Sequence, residues 1–140
     1  KSWSTRTLEE VESSASVNGV DAVIVDRVGV LPDLYTVGHV GYVGGGFHRA
    51  GVHSVIEPAA AQLPVIFGPH YRNSSAAIDL LKGGAAKVIT DAEGLADSLL
   101  GWLEDTKEHG DATNRAFGYI QTHRGGAERT VDALAHLLGP

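Results

Sequence analysis

Short apolar runs alternate with amphipathic stretches over the first 90 residues, and this alternation restricts the fold more than any other feature of the sequence. Apolar runs of a few residues bounded by turn residues predict strands, and apolar positions at helical spacing predict helices. Strands that alternate with helices form parallel β-α-β units with right-handed crossovers. The predicted strands cover residues 21–26, 39–43, 64–68 and 86–90, and the predicted helices cover residues 31–38, 54–62 and 74–82.

The last third of the chain has a different character, because its apolar residues recur only at helical spacing. Leu95, Leu99 and Leu103 are one example, and Val131 and Leu134 are part of another. The expected fold is therefore of the α/β class, a Rossmann-like parallel sheet with flanking helices and a helical C-terminal tail. Four strands are few for such a sheet, and the chain has no methionine, even at position 1. We expect a fragment of a longer protein whose domain lacks its first strand or two.

Composition excludes several classes of function. The formal net charge of −6 argues against general binding to nucleic acid or to an anionic membrane surface, because like charges repel. It leaves room for a local basic pocket. The chain has no cysteine, so disulfides, thiol nucleophiles and thiolate metal sites are absent. The sequence shows no Ser-His-Asp set and no phosphate-binding P-loop motif.

Three segments directly follow predicted strands. In parallel sheets, ligands bind beyond the carboxyl ends of the strands, near the beginnings of helices. The segments are residues 26–30, 44–53 and 68–74, and we expect them to line one edge of the sheet together. A nucleotide-like ligand at that edge is the interpretation that the residues favour.

Three successive glycines, Gly44, Gly45 and Gly46, lie between a predicted strand and a predicted helix. Glycine adopts positive φ without strain and lets the backbone approach a ligand closely. Its N–H groups can also point at an anion. A flexible loop is the alternative, because the pattern is not the G-x-G-x-x-G of dinucleotide sites.

Ser54 and Glu57 have the S-x-x-E spacing of a helix capping box, in which glutamate only satisfies the end of a helix. Pro58 argues for a different start, since proline is favoured at the first position of a helix and lacks a donor further in. Glu57 would then lie at the mouth of the helix, where a carboxylate can accept two ribose hydroxyls. Both interpretations stay open.

Histidines and arginines accompany these segments. His53 directly precedes the predicted helix, whereas His48 lies earlier in the same loop and His70 in the next one. Two histidines without further ligands do not make a metal site, so we expect none. Arg72 could supply charge to a phosphate or carboxylate. Arg27 ends a strand at the same edge, with an exposed ion pair as the alternative.

From about residue 21 onward, the order of residues resembles the C-terminal domain of the 3-deoxy-D-manno-octulosonic acid (Kdo) transferases. These are glycosyltransferases of the GT-B type, in which two Rossmann-like domains enclose the active site. The resemblance is carried by "VDRVGVLPDLY", "YVGGGF", "GVHSVIEPAAAQLPVIFGPHYRN", "LLKGGAAKVITDAEGLADSL" and "HRGGAERT". The central block is the most specific, because the glycine turn, Glu-Pro-Ala and Phe-Gly-Pro-His occur together in order.

The resemblance implies roles for individual residues. It places Gly44–Gly46, His53, Ser54 and Glu57 against the CMP part of the donor CMP-Kdo, and Gly29 near the base. Two positions depart from the family pattern. Val30 stands where the family has an acidic residue, and Ser54 stands where it has asparagine.

The resemblance also implies a function. Residues 1–140 would be a single C-terminal donor-binding domain of an enzyme that moves Kdo from CMP-Kdo to a lipid A precursor in lipopolysaccharide synthesis. The partners would be that acceptor, an N-terminal GT-B domain holding the catalytic residue, and the cytoplasmic face of the bacterial inner membrane. Neither cofactor, metal nor nucleic acid is expected. The alternatives are the donor domain of another GT-B enzyme, or a non-catalytic Rossmann-like binding module.

Overall fold

The computed structural model describes residues 2–138, and the chain divides into two compact units, Lys1–Leu31 and Pro32–Pro140. Each unit has a parallel sheet of its own, one of two strands and one of three. The expectation of a single sheet with four strands is therefore wrong for the described residues. That residues 1–140 act as one donor-binding domain stays a prediction.

The first unit contains a short β-α-β arrangement. Its elements are β1 (Thr5–Thr7), α1 (Leu8–Glu12) and β2 (Ala22–Ile24). The two strands are parallel, with Thr5 opposite Ala22. Thr7 and Glu10 form a complete capping box at the start of α1. The sequence analysis predicted no element in the first 20 residues, because elements this short show no periodicity; the Thr-x-x-Glu spacing was the available signal.

The apolar run at residues 21–26 does form a strand, but it is not the buried strand that the sequence predicted. Val23 is 45% exposed and Ile24 is 56% exposed. Within this unit a two-stranded sheet and one short helix cannot cover both faces of β2. Apolar composition predicted the strand correctly, but burial depends on the partners that surround it.

The second unit follows the predicted order of strands and helices, with shorter elements. All three of its strands are parallel, in the order β3-β4-β5. The bounds are α2 (Leu31–Tyr35, which begins at the unit boundary), β3 (Gly41–Val43), α3 (Ile56–Ala60), β4 (Val65–Phe67), α4 (Ser75–Lys82) and β5 (Ala86–Val88).

The central strand β4 is the core of this unit, because it has a strand on each side and helices over both faces. Its three side chains are completely buried. Successive side chains of a strand point to opposite faces. Accordingly, Val65 and Phe67 belong to a cluster that contains residues of α3 and α4, and Ile66 belongs to a second cluster with Trp102.

The predicted helical tail is present as three helices, α5 (Ala92–Glu104), α6 (Thr106–His123) and α7 (Gly126–Leu138). Aspartate side chains cap the first two, Asp91 for α5 and Asp105 for α6. Helix α6 contributes Ala112 to one core cluster and Ala116 to the other. No residue of α7 is buried. Parallel sheets with flanking helices and a helical tail confirm the predicted α/β class.

Candidate functional site

Two loops extend from the carboxyl ends of neighbouring strands, and hydrogen bonds join them. The first loop covers residues 44–53 after β3, and the second loop covers residues 68–74 after β4. The His70 N–H donates to the Gly46 carbonyl at 2.8 Å, and the Val52 N–H donates to the His70 carbonyl at 2.9 Å. Two of the three predicted segments therefore line one edge of this sheet together. The third, residues 26–30, follows β2, which belongs to the separate sheet of the first unit.

The Asn73 side chain strengthens this connection by imitating a peptide group. Its Oδ1 accepts from the Val52 N–H at 3.1 Å, and its Nδ2 donates to the Val52 carbonyl at 3.0 Å. Gly51 has a φ of 89°, and a Cβ there would collide with the Asn73 amide. The sequence analysis did not single out Asn73. An amide side chain just before a helix was the only signal.

The three glycines of the first loop differ in their surroundings. Gly45 has a φ of 86°, and a Cβ there would lie 2.5 Å from the Gly51 carbonyl oxygen. At Gly46 a Cβ would lie 2.6 Å from the backbone nitrogen of Gly68. At Gly44 a Cβ would meet nothing within 4 Å. Gly45 and Gly46 are therefore required by the packing of the loops, while Gly44 faces open space.

The loop returns to its own beginning at His53. The His53 N–H donates to the Gly44 carbonyl at 3.1 Å, and the His48 N–H donates to the Gly45 carbonyl at 2.9 Å. The exposed imidazole of His53 lies over Gly45, because its Nε2 would be 2.9 Å from a Cβ at that glycine. These bonds define the turn, which argues against the flexible-loop alternative.

Of the two interpretations left open for Ser54 and Glu57, the capping box is not formed. Helix α3 begins at Ile56, and its N-cap is Val55, with no side-chain capping bond. Pro58 explains the late start, since as the third helical residue it stands where a backbone N–H has no partner within the helix. Ser54 is exposed and precedes the helix. Glu57 is left in the first turn, at the mouth of α3.

Glu57 shares this place with Tyr35 of α2, a residue that the sequence analysis missed. Burial raises the pKa of the Tyr35 phenol, and the negative charge of Glu57 raises it further. The Glu57 side chain is exposed. The ion pairs of residues 2–138 join Arg27 with Glu12 and Lys87 with Glu108, so Glu57 takes part in neither. An exposed carboxylate without a cap or ion-pair role is available to hydroxyl donors.

Gly29 belongs to the first unit, where it lies in the bend after β2 with a φ of 88°. A Cβ there would meet nothing within 4 Å. The neighbouring Arg27 is paired with Glu12 at 2.5 Å, so the exposed ion pair is the correct interpretation of that arginine.

Comparison with known proteins shows which family the chain belongs to. Over 121 residues the chain is 36% identical to 3-deoxy-D-manno-octulosonic acid transferase of Bordetella pertussis, a match that covers 86% of this chain and 28% of that protein. Over 115 residues it is 32% identical to the Chlamydia muridarum enzyme of the same name, covering 81% of this chain and 27% of that protein. The chain belongs to the Kdo transferase family. It spans little more than a quarter of the length of these relatives.

A solved structure confirms the fold. The C-terminal CMP-Kdo binding domain of WaaA from Acinetobacter baumannii matches with a TM-score of 0.74 at 22% identity. The match covers 85% of this chain and 62% of that one. No family model matches the chain. The α/β fold of this Kdo transferase family member is thus that of a C-terminal GT-B domain.

Two further properties of residues 2–138 bear on the site. Their helices do not combine the length and apolar character that crossing a membrane requires. Among them, no three histidine, aspartate or glutamate side chains are grouped so that they could hold a metal ion.

Proposed function

We propose that the second unit binds the nucleotide of CMP-Kdo as the donor-binding part of a Kdo transferase. The observation that carries the proposal is the position of Glu57, exposed in the first turn of α3 with neither a capping nor an ion-pair role. Family membership supports the choice of donor, because the relatives are named for transfer of this sugar acid.

Each residue of the edge then has a chemical task. The two oxygens of the Glu57 carboxylate accept the adjacent hydroxyls of the ribose. The open space at Gly44 admits the phosphate and sugar close to the backbone. His53 and Ser54 are exposed between these points and supply polar contacts. Gly45 and Gly46 act indirectly by shaping the loop. The role of Gly29 near the base, which the family resemblance implies, stays a prediction.

The full reaction moves Kdo to a lipid A precursor and requires more than the residues described. We place the catalytic residue in an N-terminal GT-B domain, and the enzyme at the cytoplasmic face of the bacterial inner membrane, as a contributor to lipopolysaccharide synthesis. In this proposal the nucleotide is the leaving group, and fixed hydrogen-bond donors stabilise it without a cofactor or a metal.

Replacing Glu57 with glutamine tests the donor site. Glutamine keeps the size but loses the charge, and hydrogen bonds to charged groups contribute about 1.5–3 kcal/mol. We expect Glu57→Gln to weaken CMP binding about tenfold or more, since 1.4 kcal/mol is roughly one decade in affinity. Calorimetric titration of CMP measures the change. Glu93→Gln is the matched control, because Glu93 is an exposed glutamate in the first turn of α5.

The possible results separate the candidate functions. Equal CMP affinity of wild type and Glu57→Gln would contradict the role of the carboxylate. Absence of CMP binding to wild-type protein would contradict the donor site itself and leave a binding module of another kind. Tighter binding of UMP or GMP than of CMP would indicate the donor domain of a different GT-B enzyme.

A further inference from the structure

A cleft of about 240 Å³ opens between the first and second loops, beyond the carboxyl ends of β3 and β4. Residues of both loops form its walls, so its shape depends on the hydrogen bonds that join them. The lining residues are Arg49, Gly51, Pro69, His70, Arg72 and Asn73.

The cleft concentrates positive charge in an acidic chain. Arg49 comes from the first loop and Arg72 from the second, and both are exposed. Neither arginine takes part in the ion pairs of residues 2–138. Within residues 2–138, no acidic residue lines the cleft, although the whole chain has a formal net charge of −6. Guanidinium groups pair well with carboxylates and phosphates. The two guanidinium groups at this cleft have no such group of the protein among the lining residues.

The backbone that carries these groups is fixed on both sides of the cleft. The Asn73 amide holds Val52 by two hydrogen bonds, and the His70 backbone bonds to both Gly46 and Val52. Fixed backbone at the base of each arginine reduces the ordering that a ligand must impose. A planar guanidinium matches the paired oxygens of a phosphate or carboxylate.

We infer that this cleft binds an oxyanion of the donor through Arg49 and Arg72, with His70 also in its wall. The inference rests on the proposed function and extends it to a second pair of side chains, of which Arg49 had no predicted role. The donor offers two groups of this chemistry, the phosphate of its nucleotide and the carboxylate of its sugar acid. Both fit the cleft, and a series of ligands tells them apart.

The experiment compares cytidine, CMP and CMP-Kdo by calorimetric titration of wild-type protein and Arg49→Ala/Arg72→Ala. Cytidine has neither anion, CMP adds the phosphate and CMP-Kdo adds the carboxylate. We expect cytidine affinity to stay unchanged and the affinity of at least one anionic ligand to fall about tenfold or more. If the variant binds CMP more weakly than wild type does, the cleft holds the phosphate. If only the affinity for CMP-Kdo falls, the cleft holds the carboxylate.

The control Lys82→Ala/Arg115→Ala removes the same charge at the opposite end of the sheet. Lys82 ends α4, and the Arg115 guanidinium lies against Gly84, just before β5. Anionic ligands that bind the cleft variant as tightly as wild type would overturn the inference, as would an equal loss in the control. In either case, a loss of CMP affinity in Glu57→Gln shows that the donor site itself stands.

Discussion

Tyr35 and Glu57 interact electrostatically, so the titration of the Tyr35 phenol should depend on the charge of Glu57. Because burial and the Glu57 charge both raise the pKa of the phenol, the folded protein holds this proton more tightly than the unfolded chain. The contribution of the protonated Tyr35 phenol to the free energy of unfolding is therefore fully present below about pH 10, and it is lost as the pH rises through the raised pKa. The pair lies at the proposed ribose position, so this titration also reports on the ligand.

We expect Glu57→Gln to lower the pKa of Tyr35, since it removes the second cause of the shift. Ultraviolet absorbance of tyrosinate, followed from pH 8 to 12, measures the titration. The difference between wild type and Tyr35→Phe isolates this phenol from the other three tyrosines. An unchanged titration of Tyr35 in the glutamine variant would show that the two side chains do not interact.

Gly44 and Gly45 are neighbours, but only the position of Gly45 requires glycine. Alanine at Gly45 would adopt a positive φ, which costs about 1–2 kcal/mol, and its Cβ would press against the Gly51 carbonyl oxygen. We expect Gly45→Ala to lower the free energy of unfolding by at least about 2 kcal/mol. Gly44→Ala should change it by less than about 0.5 kcal/mol. Urea denaturation of both variants measures this, and equal effects would contradict the packing described for the turn.

Sequence reasoning could identify candidate residues within single segments but not the contacts between segments. It singled out Gly44–Gly46 and Glu57, whose roles in ligand binding stay predictions. It missed Tyr35 and Asn73, whose contacts bring together segments far apart in the chain. It also left the capping box open, which the structure decides through Pro58, a residue whose effect depends on where the helix begins.

At the scale of elements, Asn73 joins the ends of two strands that share no hairpin. Removing its amide leaves the Val52 carbonyl without that donor, and an unsatisfied buried group costs about 1–3 kcal/mol. We expect Asn73→Ala to lower the free energy of unfolding by roughly this amount. Thermal and urea denaturation measure it, with Asn114→Ala as an exposed control on α6. A loss no larger than in the control would mean that the loops are joined without this amide.

The order of strands and helices was predictable because the spacing of apolar residues can be recognised within a single segment of the sequence. Helix α4 illustrates the success, because the helix predicted over residues 74–82 is observed at Ser75–Lys82. Strand β2 illustrates the failure. Its β-branched run predicted pairing, but neither its partner β1 nor its exposure is encoded in the run itself.

At the scale of the molecule, burial is distributed unequally between the two units. Every fully buried hydrophobic side chain of residues 2–138 lies at Val43 or later, and β4 has no exposed side-chain surface. We expect amides of Val65–Phe67 to exchange with solvent most slowly and those of β1 and β2 much faster. Hydrogen–deuterium exchange with mass spectrometry measures both. Comparable protection in the two units would contradict an unequal division of stability.

Gly46 and Gly68 determine how this protein can be recombined with its relatives. The backbones approach so closely that a Cβ on either glycine would lie 2.6 Å from backbone atoms of the other. No second substitution can make room, because the obstacle is main chain. A chimera with its crossover between these positions would pair loops from different parents and lose their mutual fit. Residues 44–74 should therefore be exchanged as one cassette.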